Sequence, residues 1–63
     1  MFTFNTGQTV IYTSPTGEQY QAVIKRITYT ATGGLYWLHD ENNIFMTVCR
    51  ESDIQPMEEY HHD

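Results

Sequence analysis

Short alternating runs of apolar and polar residues, not a helical period, organise this chain. No stretch sustains an apolar repeat of 3.6 residues, while β-branched and aromatic residues are dense throughout. "QTVIYT" (8–13) reads as a short strand, and "SPTGE" (14–18) as a turn in which Pro15 presets φ and Gly17 can take a positive φ. "QYQAVIKRITY" (19–29) reads as one long strand. Its apolar face runs through Tyr20, Ala22 and Ile24, but the next apolar position is Ile27 and not 26. A slip of one residue predicts a bulge near Lys25–Arg26 that bends the strand.

"TATGG" (30–34) is a second turn. "LYWLH" (35–39) and "IFMTVC" (44–49) form a hairpin closed by "DENN" (40–43), where asparagine tolerates left-handed backbone. Both arms are apolar on both faces, as in strands that are buried on two sides or cover a binding surface. Two registers stay open. If Tyr36 and Leu38 point inward, Trp37 faces out near Ile44, Met46 and Val48; the other register buries Trp37 and exposes Tyr36 with Phe45. "RESD" (50–53) reads as one helical turn and "IQP" (54–56) as a last short strand in which Pro56 marks an edge or an end. "MEEYHHD" (57–63) reads as an acidic, histidine-containing tail. Four meandering strands, one turn of helix and a fifth strand, with the second strand bent, predict an all-β, five-stranded SH3-like small barrel over residues 1–56.

Composition narrows this further. A chain of 63 residues makes one domain with a marginal core. Its single cysteine, Cys49, rules out an internal disulfide and gives no sign of an oxidising compartment. The N-terminal "MFTFNTG" has neither the basic nor the apolar region of a signal peptide, and no apolar run reaches membrane-spanning length, so the expected location is cytoplasmic. The net charge is −5, and from Asp40 onward seven acids stand against Arg50 alone. Direct nucleic-acid binding is not expected of such a chain. A basic protein or peptide partner is, with acids at Asp40, Glu41, Glu51 and Asp53 steering it.

The residues also carry a resemblance. An aromatic before the glycine of "FNTG" (Phe4, Gly7), Val10 in the first strand, "YQAVIKRI" (Tyr20, Ala22, Ile24, Ile27), the "YWL" strand, and "VCRESDIQP" with Ser52, Asp53, Ile54 and Pro56 together resemble a Tudor-type SH3-like module over residues 4 to 56. Small phage, prophage and mobile-element proteins are similar to this pattern too. Tudor domains hold methylated lysine or arginine in an aromatic cage. The resemblance places Tyr20 at one cage position and Tyr12, shifted by one residue, at another. The loop "HDENN" supplies no aromatic, so the chain departs from the full cage there.

Catalytic and metal chemistry find little support. His39 lies at the far end of the hairpin from Cys49, too distant for a dyad, and a buried structural thiol is the expected role. His61 and His62 on a tail lack the preorganisation a metal site needs, so no metal or other cofactor is expected. Asp53 is expected to satisfy backbone groups of the helical turn, as Ser52 or Asp53 would at a cap. The expected function is that of a non-catalytic module engaging a protein partner, as a phage or mobile-element protein acting on a host factor would. Tyr12, Tyr20, Tyr36, Trp37, Phe45, Asp40 and Glu41 are its candidate contact residues. Two alternatives stand beside it: a structural subunit or homo-oligomer assembled through the apolar hairpin face, and an acidic mimic of nucleic acid.

Overall fold

Turn chemistry sets the strand ends. The computed structural model describes residues 4–57. In it β1 (Thr9–Thr13), β2 (Gln19–Thr30), β3 (Gly33–His39), β4 (Phe45–Arg50), a 3-10 turn (Glu51–Asp53) and β5 (Ile54–Pro56) follow in order. The first turn closes through the Ser14 and Gly17 amides, which donate to the carbonyls of Glu18 (2.7 Å) and Ser14 (2.9 Å). Gly17 takes φ +90 there, a conformation that disfavours any side chain. The β3–β4 turn uses Asn43 at φ 64, as its composition predicts. Asp40 Oδ1 accepts from the amides of Asn42 (2.8 Å) and Ile44 (2.9 Å). The β2–β3 turn is tighter than expected. The Thr30 hydroxyl donates to the Gly33 carbonyl at 2.7 Å, and pairing resumes at Thr30–Gly33, so β3 starts before Leu35.

The five strands form one antiparallel sheet in the order β4-β3-β2-β1-β5. β4 and β5 are its edges, and the ladder does not close between them. The predicted bulge is present: the β2–β3 register shifts between Ile24 and Arg26, leaving Lys25 as the extra residue. A second shift, between Leu38 and His39 opposite β4, makes Met46 an extra residue that packs against the core. The tail expected over 57–63 lies, past Met57, outside the described residues.

One face of the sheet carries the core. Phe4, Val10, Ala22, Ile24, Tyr36, Leu38, Cys49 and Ile54 form a single buried cluster. Strand alternation puts Val10 and Ala22, Ile24 and Leu38, and Tyr36 and Cys49 opposite one another on that face. Phe4 meets the Tyr36 ring edge-on at 5.7 Å. The open question of register is thereby decided: Tyr36 and Leu38 point inward and Trp37 outward. Tyr36, a candidate surface residue in the alternative register, is 4% exposed and belongs to the core.

The Tyr36 ring also roofs Gly34. A Cβ on Gly34 would sit 3.1 Å from Tyr36 Cε1 and 3.2 Å from its hydroxyl. Gly34→Ala must therefore push a packed ring, and a loss of about 1–2 kcal/mol in urea unfolding is expected. In a Tyr36→Leu background the same glycine change should cost much less, because the alanine methyl then meets no ring.

Candidate functional site

β1 and β2 place Tyr12 directly opposite Tyr20, at the end of the core face where the sheet runs into its first turn. The two rings stack at 6.5 Å between centroids with 22° between planes. Tyr12 is half-buried against the core, whereas Tyr20 is 43% exposed. The Tyr20 hydroxyl donates to Glu18 Oε1 at 2.6 Å. That hydrogen bond to a carboxylate, followed by the carboxylate's charge, raises the Tyr20 phenol above its ordinary value, so it stays a neutral donor at physiological pH.

The antiparallel register brings two other acids alongside β2. Because His39 pairs with Val23, the turn after β3 runs back alongside Gln21 and towards Tyr20. Asp40, Glu41 and Asn42 line a cleft of about 270 Å³ with Gln21, Ala22 and Val23. Glu18 thus meets the stacked Tyr12–Tyr20 pair directly, while Asp40 and Glu41 line a separate cleft beside the same stretch of β2. Glu18 was not among the residues singled out from sequence. Position 18 ends the turn read over 14–18, before β2 begins, so strand alternation gives no signal for it.

Trp37 and Phe45 lie elsewhere, on the face opposite the core. Arg26, Trp37 and Val48 sit side by side across β2, β3 and β4, with the Arg26 guanidinium 5.1 Å from the centre of the Trp37 ring. His39 and Phe45 form the next row and meet edge-on at 5.8 Å. Ile44, Phe45 and Val48 are exposed. A larger cleft, about 330 Å³, opens at the other end of the sheet between Thr30, Gly34, Arg50 and Ser52. Its lining has no aromatic and one residue of each charge, Arg50 and Glu51, so it offers less to a charged ligand than the tyrosine end.

No protein-family model, curated protein or solved structure matches the chain.

Asp53, Tyr36 and Cys49 make contacts within the fold. Asp53 Oδ2 accepts from the Arg50 amide at 3.3 Å and so caps the 3-10 turn. Burial pushes the Tyr36 phenol up, with the Glu51 charge adding to it. Burial, and secondarily the Asp53 charge, push the Cys49 thiol up to about 12. The thiolate is the reactive form, so native Cys49 should label with a disulfide reagent at pH 8 far more slowly than the urea-unfolded chain does. The linkage to stability has a definite sign. The folded thiol holds its proton more tightly than the unfolded one, so its contribution is intact below the ordinary thiol value near 9 and falls away as pH rises towards about 12. Cys49→Ala should flatten that alkaline decline in a pH series of urea midpoints; an unchanged slope would place its cause elsewhere. Among the described residues no three of His, Cys, Asp and Glu converge as a metal site. No helix of the described residues is long and apolar enough to cross a membrane.

Proposed function

We propose that the chain is a non-catalytic, SH3-like and Tudor-like binding module whose tyrosine-bearing acidic end engages a basic segment of a protein partner. The strand order β4-β3-β2-β1-β5, the bulged second strand and the 3-10 turn before β5 support the SH3-like reading. One observation carries the functional part: the stacked Tyr12–Tyr20 pair with the Glu18 carboxylate fixed against it. An aromatic face attracts a cation through its quadrupole, and a carboxylate at its rim adds direct charge attraction. Asp40 and Glu41 on the neighbouring turn extend the same sign of potential, so a lysine- or arginine-bearing segment is drawn to this end. Cys49, buried and protonated at neutral pH, is not set up as a nucleophile, which fits a binding role.

The test is a titration followed residue by residue in two-dimensional NMR, using the capped pentapeptide Lys-Ser-Val-Ser-Lys as the basic probe. Saturable shifts centred on Tyr12, Glu18 and Tyr20, lost in Tyr20→Ala, are the expected result. Shifts that avoid these residues, or that survive the substitution, would refute the reading.

A further inference from the structure

The face opposite the core has a chemistry of its own. The chain carries three basic and eight acidic residues. All three basic residues lie in strands: Lys25 and Arg26 in β2, and Arg50 in β4. None of the acids lies in β2, β3 or β4. The charged residues within these three strands are thus all basic, and the acids Asp40, Glu41, Glu51 and Asp53 lie in the turns at the strand ends. The cross-strand registers fix the layout of the face. Thr28, Leu35 and Arg50 form one row, Arg26, Trp37 and Val48 the next, and Val23, His39 and Phe45 the third. Arg26 and Arg50 therefore flank Trp37 on a diagonal, two strands and two residues apart, on the order of 12 Å between Cα atoms.

The Arg26 guanidinium lies over the Trp37 ring. A guanidinium lying over a ring face in this way keeps N–H donors free for a carboxylate, which it can take with two hydrogen bonds. Arg50 is exposed at the far corner, and no ion pair with a carboxylate engages either arginine among the described residues. Between the two lie the partly exposed Trp37 ring and the 38%-exposed Val48, a surface that an apolar side chain covers.

We propose that this face binds an acidic segment of a partner protein, with two carboxylates about 12 Å apart on Arg26 and Arg50 and an apolar side chain between them on Trp37 and Val48. In an extended segment, residues i, i+2 and i+4 share a side, and i to i+4 spans roughly 13 Å. The pattern acid-x-apolar-x-acid therefore matches the diagonal. A nucleic-acid strand fits less well. It needs a row of cations to offset its phosphates, and the surrounding chain, at −5, repels them. This surface is separate from the tyrosine end, being on the other side of the sheet and about six residues, roughly 20 Å, further along β2 from Tyr20.

The experiment titrates the intact chain with the capped pentapeptide Glu-Ser-Val-Ser-Glu and follows the indole N–H of Trp37, the single tryptophan. Lys-Ser-Val-Ser-Lys, Gln-Ser-Val-Ser-Gln and an oligothymidylate serve as comparison probes. The expected result is a saturable Trp37 shift with the glutamate peptide alone, weakened roughly tenfold by Arg26→Gln and likewise by Arg50→Gln, with melting temperatures unchanged. Raised salt should weaken it as well. Four results would overturn the proposal: no saturable shift, equal or tighter binding of the lysine, glutamine or thymidylate probe at Trp37, wild-type affinity in both arginine variants, or light scattering showing a dimer that Val48→Lys dissociates. The Tyr12 and Tyr20 signals report on the other end of the sheet, so either surface can fail without the other.

Discussion

Leu38→Ala is expected to leave the chain without a stable fold at room temperature. Leu38 is fully buried at the middle of β3, facing Ile24 across β2 and Thr47 across β4. Truncating such a leucine removes its transfer free energy and leaves a cavity that neighbours fill only partly, at a cost of about 2–5 kcal/mol. A domain of this length holds roughly 3–9 kcal/mol in total by the usual allowance per residue. The two figures overlap, so one side chain decides whether the sheet folds. Val48→Ala, on the adjoining strand but the opposite face, should cost only about 0.5 kcal/mol, as exposed positions usually do. Far-ultraviolet circular dichroism and urea titration of both variants check this. A Val48→Ala loss equal to that of Leu38→Ala would mean that the two faces are assigned the wrong way round.

That contrast marks where the sequence was readable. The slip from Ile24 to Ile27 announced the β2 bulge, because a single strand with one buried face shows any change of parity directly. Turn residues likewise announced the chain reversals at Gly17 and Asn43. The hairpin of β3 and β4 was different. With apolar residues on both faces, parity carries no signal, and Tyr36 and Trp37 were interchangeable until Leu38 and Cys49 were seen to share the core with Tyr36. The Met46 bulge has no composition cue at all. The closed barrel that the strand pattern predicts is not formed by the ladder: strand patterns fix where strands are, while whether β4 and β5 pair depends on the bend and twist of the whole sheet. Ile11 is buried although it lies opposite the core face, between Gln21 and Gln55, and alternation alone would have exposed it. At the candidate sites, the residues Tyr12, Tyr20, Asp40 and Glu41 were legible, but not that Tyr12 and Tyr20 stack while Asp40 and Glu41 line a cleft along β2. No local pattern grouped Arg26 with Arg50, which are far apart in the chain and become a pair only through the β2–β3–β4 register.

Tyr20→Ala is expected to weaken the basic pentapeptide by roughly threefold to thirtyfold, the range of one exposed to one partly desolvated cation–aromatic contact. The fold should survive, because Tyr20 is exposed and its hydroxyl bonds only to Glu18 at the surface. Glu18→Gln separates the two parts of the site. Glutamine keeps an oxygen that can accept from the Tyr20 hydroxyl, so the rings should stay in place, but the charge is gone. Binding should then weaken less at high salt than at low salt, since screening has already removed much of what the carboxylate supplied. The same variant should let the Tyr20 phenol titrate closer to its ordinary value, because both leading causes of its rise come from Glu18. Tyr12→Phe should change little, for a stacked ring attracts a cation through its face and not its hydroxyl. If Glu18→Gln and Tyr20→Ala bind the lysine peptide as the wild type does, while Asp40→Asn with Glu41→Gln abolishes binding, the cation sits on the β3–β4 turn and the stacked tyrosines are only the end wall of the core.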